Sequence, residues 1–483
     1  MMTTPALLAL IIFLTTVLFL LWRPKGLNEA IPPAVGAFSL YSLGIVSFAD
    51  IHYVFGTVTG AAVTIVSTII MSIVLESMGF FRWVAFNLVA RCKGSGTILY
   101  WCIILLCFLM TMFFNNDGSI VITTPIIIEI CRALKLNPRQ QFSYLCSGAL
   151  IATAASAPIG VSNLANLIAL KIVNLDLVTY TKIMFIPSML GLFVISILLF
   201  YYFRKDIPAQ IPAFSRACVL LYKKNLALYN RPPIPPHLHA PHHPPPHPPI
   251  HHHPPLHPHT PAPPPVNKEQ VAVNWIMFKV YMAVIIVVRG CFFILSHYGI
   301  PIEWVAAGGA LLIIMIRWYS QGTAPRDILQ KTPWHIFVFA FSMYLVVYGL
   351  HNVKFTALMI ELIKDPVRAN LYNAIFIMGT LLTVMSNLFN NLPSVMLGTI
   401  TVTQMGLDQE YLQVAYLANI LGSDIGSLIL PSGTLASLIW MYQLKQNEIP
   451  VTWKQYLSVT VLIIPAGLIV SLLSLYWWVC LIW

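Results

Sequence analysis

The residues best suited to chemistry sit in four short polar motifs set in apolar sequence. Phe113-Phe114-Asn115-Asn116-Asp117-Gly118-Ser119 and Leu388-Phe389-Asn390-Asn391-Leu392-Pro393-Ser394 each put an Asn pair behind an aromatic residue, 275 positions apart. Ser162-Asn163-Leu164-Ala165-Asn166-Leu167 and Gly433-Thr434-Leu435-Ala436-Ser437-Leu438 form a second pair, 271 apart. Helix-breaking residues precede each of these: Pro158 and Gly160 in one case, Pro431 and Ser432 in the other. Amide and hydroxyl side chains both donate and accept hydrogen bonds. Helix N-termini beside them offer N–H groups to anions or hydroxyl oxygens. Asn115, Asn116, Ser162, Asn163, Asn390, Asn391, Ser432, Gly433 and Thr434 are therefore the candidate solute-binding set. A plainer reading stands beside it, in which these residues only cap helix ends.

Acidic residues inside apolar runs are functional candidates by default. They are Glu76, Asp117, Glu129 and Asp424. Asp117 follows the first Asn pair, and Asp424 lies in Gly422-Ser423-Asp424-Ile425-Gly426, just before the second helix break. Either could carry a coupling proton; the alternative is a capping carboxylate that stays ionised. Glu129 is expected to pair with Arg132, Arg289 reads as a snorkelling or paired cation, and Glu76 has no assigned role.

These motifs need elements to hold them, and the composition says which. Of 483 residues 58% are hydrophobic and 9% charged, with a mean hydropathy of +0.79. A soluble domain carries about 25% charge, so lipid is the solvent. Runs of ~20 apolar residues mark crossings at 4–22, 30–49, 55–79, a broken one at 140–173, and 182–203. In the second half they fall at 273–296, 300–317, 333–352, a broken one at 409–443, and 455–479. The stretches 97–133 and 372–405 are interrupted by polar residues and read as re-entrant hairpins. The expected fold is an all-α polytopic membrane protein with ten crossings and two hairpins. The segment up to Trp22 reads as a first membrane helix rather than a removed signal peptide.

Charge placement orients this arrangement. With both termini outside, 19 of the 27 Lys and Arg fall in inside loops and six outside, Lys454 being counted among the six. That bias follows the positive-inside rule and accounts for the net charge of +11 without nucleic acid. The halves 1–205 and 269–483 then run in opposite orientations, the pattern of an inverted-repeat transporter. Four interruptions of helix at membrane depth imply a shared polar cavity, because unpaired backbone is not tolerated in lipid.

The linker at 206–268 is unlike its surroundings: residues 231–265 hold 17 of the 35 Pro and 10 of the 14 His. It reads as an extended cytoplasmic connection, with transition-metal binding as the alternative. The eight Cys form no CxxC pair, so neither a disulfide framework nor a zinc site is expected. No Walker A motif is present, so the chain does not hydrolyse ATP itself. No cofactor and no catalytic residue is expected.

Phe113-Phe114-Asn115-Asn116-Asp117-Gly118, with Thr124-Pro125-Ile126, resembles the first hairpin of the arsenical pump membrane protein family, part of the wider ion transporter superfamily of elevator-type carriers. Ser162-Asn163-Leu164-Ala165-Asn166 is similar to its first unwound motif. Pro333-Trp334-His335-Ile336 with Met343 to Leu350, then Gly422 to Gly426 and Pro431 to Trp440, resemble its second-half motifs. The chain departs from the family pattern at Asn115, where Ala is common, and at Ser427 to Pro431. The resemblance implies a plasma-membrane carrier exporting arsenite or antimonite in exchange for protons, with a cytosolic ATPase subunit and a homo-oligomer as further partners. Neutral arsenous acid carries three hydroxyls, which a lining of Asn, Ser, Thr and backbone groups suits. Alternatives are a relative carrying silicic acid, a dicarboxylate, or sodium against protons, and outside that class an ion channel or a metal sensor built on the His-rich loop.

Overall fold

Proline, glycine and small polar residues set the helix boundaries throughout. The computed structural model describes residues 3–24, 27–211, 275–322 and 325–482, which form nineteen α-helices and no strand. The His/Pro-rich linker expected at 206–268 lies outside the described residues from 212 onward.

Helix α1 (Thr4–Trp22) starts at Pro5, and Arg23 closes it in a left-handed conformation. Helix α2 is Ile31–Ser42 and α3 is Phe48–Ser77, which opens on a reciprocal Ser47/Asp50 capping box. Helices α4 (Phe80–Arg91), α5 (Gly96–Phe113) and α6 (Asn116–Ala133) follow. After Asn137-Pro138 come α7 (Pro138–Ala154), a 3-10 turn at Gly160–Ser162 and α8 (Leu164–Ile172); α9 is Leu177–Phe203. The second half has α10 (Trp275–His297), α11 (Ile302–Gln321), the short α12 (Arg326–Lys331), α13 (His335–Asn352) and α14 (Phe355–Ala369). It continues with α15 (Leu371–Phe389), α16 (Asn391–Gln404), α17 (Gln409–Asp424), two 3-10 turns, α18 (Leu435–Gln446) and α19 (Trp453–Ile482). One order thus recurs: long helix, short helix, two helices meeting at an Asn, a broken helix, long helix.

Ten helical stretches among the described residues are long and apolar enough to cross a membrane. Their membership departs from expectation: the expected crossings at 30–49 and 140–173 supply none of the ten, and the first limbs of the two expected hairpins supply two. The crossing expected at 30–49 is not one helix: α2 has 12 residues, about 18 Å, and Gly44 (φ +67) turns the chain before Ser47 starts α3. The segment still runs the length of α13. Glu29 Oε1 lies 2.8 Å from His335 Nε2 at one end, and Asn352 Nδ2 donates to Ile45 O at 3.0 Å at the other. The first limbs of both hairpins, α5 and α15, are themselves of crossing length.

Apart from those at the helix breaks and hairpin tips, polar contacts between elements lie at two opposite ends. One holds Glu29–His335, Arg132 Nη2 to Asn447 O (2.7 Å) and Tyr202–Ser458 (3.3 Å). The other holds Asn352 to Asp50 (2.9 Å), Lys171 to Gly56 O (2.7 Å), Gln409 to Val173 O (3.3 Å) and Trp478 to Lys182 O (3.0 Å). Lys454 shares the α18–α19 turn with Lys445, so the two belong to the same end, and the division that separated them is corrected.

The two halves interlock. Limb α6 packs on α7 of its own half and on α18 of the other, while α16 packs on α17 and on α8. Helices α9 and α19 cross at glycines: a Cβ on Gly191 would sit 1.8 Å from Ser471 Oγ, and one on Gly467 2.2 Å from Ile195 Cγ1. Small residues permit such close approach where lipid supplies no hydrophobic drive between helices. Leu14, Leu18, Phe193 and Leu462 point outward, as lipid-facing residues do.

Candidate functional site

The two broken helices meet at Asp424. This residue ends α17 and is 1% exposed. Its Oδ2 accepts from Ser156 Oγ (2.7 Å) and Asn166 Nδ2 (2.7 Å), and its Oδ1 from Asn163 Nδ2 (2.8 Å). All three donors come from the first half. A buried carboxylate needs such donors, because each unfilled lone pair costs desolvation free energy. Asn163 does double duty: its Oδ1 caps α8 by accepting from Ala165 N at 3.0 Å. Tyr416 donates to Asn166 O in α8 (3.1 Å), and Tyr180 to Ala157 O in the break before it (2.6 Å).

The second hairpin reaches the other break. Asn390, at its tip, holds φ +74, a conformation few side chains adopt. Its Nδ2 donates to Ser432 O at 3.2 Å, and its Oδ1 is buried without a partner. One turn earlier, Asn387 donates to Thr383 O (2.7 Å) and Gly426 O (2.9 Å) and accepts from Leu430 N (2.7 Å). Asn387 thus holds the unwound segment against α15. Gly433 is required by contact: a Cβ there would lie 1.9 Å from Ser427 O. Thr434 caps α18 by accepting from Ser437 N at 3.0 Å.

In the first hairpin, Asn115 Oδ1 caps α6 through Gly118 N (2.9 Å), and Asn116 Oδ1 accepts from Asp117 N (2.8 Å). Thr111 ties the end of α5 to Ala152 O, beside the first break, at 2.6 Å. Asp117 is half-buried, and its carboxylate has no hydrogen-bond partner among the described residues. It lies within coulombic reach of Asp424 and of Glu29. Asn391 is buried in the first turn of α16.

Several polar atoms here lack any protein partner: Ser162 Oγ, Asn166 Oδ1, Asn390 Oδ1, Ser423 Oγ and Ser427 Oγ. Buried unpaired oxygens are rare and point to a ligand or water. The set is neutral and mixes hydroxyls with amide carbonyls. A cavity of about 710 Å³ lined by Arg132, Arg139, Tyr202, Asp206, Asn447 and Gln455 lies at one end of the molecule and contains none of the site residues.

The expected capping role therefore holds for Asn115, Asn163 and Thr434, and Asn163 combines it with the junction at Asp424. Ser156, Asn166 and Asn387 were absent from the expected set. Asn166 belongs to the same short motif as Asn163, whereas Ser156 and Asn387 lie outside the four motifs. Arg132 bonds Asn447 across the chain, and Glu76 is exposed in the last turn of α3. Arg289 does not snorkel: it is 8% exposed and donates to Phe113 O and Phe114 O at the first hairpin tip. Among the described residues the seven cysteines are free and no side-chain cluster suits a metal.

Comparison with known proteins adds a family. A family model described as citrate transporter matches residues 1–422. A Bacillus subtilis (strain 168) protein, named provisionally as an arsenical pump membrane protein, is 45% identical over 467 residues, 97% of this chain and 98% of that one. An Escherichia coli arsenical pump membrane protein is 28% identical over 469 residues, again 97% and 98% of the two chains.

Proposed function

We infer the function from one premise: the chain belongs to the citrate transporter family, in company with the arsenical pump membrane proteins, and is a multi-pass membrane transporter. We propose that it exports arsenite and antimonite from the cytoplasm across the plasma membrane, in exchange for protons. The observation that carries the substrate is the neutral lining with unpartnered Ser162 Oγ, Asn166 Oδ1, Asn390 Oδ1 and Ser427 Oγ. An uncharged trihydroxide can donate to these oxygens. A tricarboxylate needs several cations; of the two buried arginines, Arg317 is held by Asp327 at 2.7 Å and Arg289 by the carbonyls of Phe113 and Phe114.

In this reading 1–205 and 269–483 are inverted repeats joined by the cytoplasmic linker, with both termini outside. The separation of polar contacts into two ends supports it, and moving Lys454 to the inside strengthens the positive-inside bias. The solute binds among Asn115, Asn116, Ser162, Asn163, Asn390, Asn391, Ser432, Gly433 and Thr434. Both hairpins and both broken helices move as one unit against the other helices, as in an elevator. The interlocking of α6 with α18 and of α16 with α8 supports a single moving body.

The coupling proton is assigned to Asp117. Protonating Asp424 would weaken its bonds from Asn163 and Asn166, whose amide N–H groups need an acceptor there, while Ser156 Oγ could turn its proton to Thr153 O at 2.8 Å. Asp117 has no such partners to lose. The test is arsenite uptake into inverted vesicles under an imposed proton gradient. Saturable uptake that antimonite inhibits, and that citrate and silicic acid do not, is expected. Uptake that citrate abolishes, or that never saturates, overturns the reading.

A further inference from the structure

Arg289 and Arg317 are the buried arginines among the described residues. Arg317 has a carboxylate, Asp327. Arg289 has only carbonyls. Its Nε donates to Phe113 O at 2.8 Å and its Nη2 to Phe114 O at 2.6 Å, the last two carbonyls before the Asn115 tip. Phe113 ends α5, and Phe114 leaves helical geometry at φ −120, ψ −101. Carbonyls at a helix C-terminus lack intrahelical donors and carry the negative end of the helix dipole. The guanidinium supplies both the donors and the opposite charge. Its carbon also lies 5.3 Å from the centre of the Phe292 ring.

The contact is a reach rather than part of a packed seam. Among the described residues, helix α10 packs along α11 and more lightly along α9 and α3, and its contact with α5 or α6 is smaller than any of these. The third nitrogen, Nη1, is buried and has no partner.

We propose that Arg289 is a detachable latch between α10 and the first hairpin tip, made and broken in each transport cycle. The proposal rests on the reading in which the hairpins move and α10 stays. A carboxylate at this place would hold the guanidinium in a buried ion pair that is costly to separate. Two carbonyls hold it firmly in one position and let go without stranding an anion. The unused Nη1 donors can engage a new oxygen as the first two are lost, so the buried cation is never stripped of partners. Arg289 is a positioning residue here, acting through the hairpin.

Arg289→Gln and Arg289→Lys, in the full chain reconstituted in lipid, test this by hydrogen exchange over 110–120 and by arsenite exchange kinetics. Two charge-assisted bonds are lost in R289Q, so tip exchange should rise at least about tenfold. The maximal arsenite exchange rate should change by about as much, with KM within about twofold. R289K keeps the charge and should recover most of both effects. Unchanged tip exchange in R289Q overturns the latch. So does a raised KM at unchanged maximal rate, which would make Arg289 a solute ligand. Wild-type vesicles that move no arsenite would overturn the transport reading instead, whatever the hydrogen-exchange result.

Discussion

Asp424→Asn puts a definite cost on the junction between the two halves. The carboxylate offers Oδ2 to Ser156 and Asn166 and Oδ1 to Asn163. An amide has one oxygen. Its best orientation keeps that oxygen toward Ser156 and Asn166, which turns the new NH2 toward Asn163 Nδ2. Two bonds then change from a charged to a neutral acceptor, at roughly 1 kcal/mol each. The third is lost, and two buried amide nitrogens face each other at a further ~1–3 kcal/mol. The total is about 3–5 kcal/mol, on the order of a hundredfold to a few thousandfold in the population of the joined state. For a chain this long the melting temperature should fall by about 3–5 °C. The assay is thermal unfolding of detergent-solubilised protein, with arsenite exchange in vesicles beside it. Ser156→Ala removes one donor and leaves two, so its loss should be smaller and its transport retained. If D424N melts within about 1 °C of wild type and exchanges arsenite at the normal rate, the junction is not held in the way described.

Asp117→Asn should leave folding and downhill arsenite exchange intact while abolishing the stimulation by a proton gradient; full stimulation in the variant would remove Asp117 as the proton carrier. Burial disfavours charge on Glu29, but the His335 hydrogen bond, a backbone bond and the Arg23 charge outweigh it and hold the carboxyl below its ordinary 4.5. Its stabilisation is therefore complete above about pH 4.5 and fades as pH falls through the lowered native value. Glu29→Gln should remove that acid-side loss, seen in melting curves from roughly pH 6 to pH 3; an unaltered acid profile would count against the pair. Gly433→Ala drives a Cβ into Ser427 O, 1.9 Å away, which costs ~1–3 kcal/mol by overpacking and should abolish arsenite flux; normal flux would mean that the unwound segment yields freely.

Most of the helices, the junctions at Asn115 and Asn390 and the two breaks were legible because each is written in local sequence. Apolar runs give the helices, Pro158, Gly160 and Pro431 interrupt them, and Asn115, Asn163 and Thr434 carry the cap chemistry that restarts them. The 30–49 segment misled because hydropathy does not record a turn: Gly44 and the Ser47/Asp50 box stop one helix and start another inside one apolar run. Ser156 and Asn387 were invisible for a different reason. Each matters through a residue far along the chain, Asp424 and Leu430, and no local pattern names such a partner. Arg289 was legible only as one of two alternatives, a snorkelling or a paired cation, and the structure shows the pairing. Its true partners are backbone carbonyls, which have no sequence signal.

The doubled frame and the single charges call for a joint explanation. At the offset of 271 the position matching Asp424 is Thr153, and at 275 the position matching Asp117 is Leu392. Each half therefore contributes one acid, and neither acid is copied. A faithful duplication would bring four carboxylates into one buried region, where like charges repel strongly at low dielectric. The observed division avoids this and gives the two acids different surroundings. Asp424 faces three donors from the opposite half and joins the breaks. Asp117 sits at a hairpin tip with a carboxylate that nothing has claimed. If Asp117 is the coupling acid, moving it to the matching position as Asp117→Leu with Leu392→Asp should destroy coupling, because the second tip lies against Ser432 and the unwound segment. Retained coupling in that swap would mean that the two tips are functionally equivalent and that the asymmetry of charge is incidental.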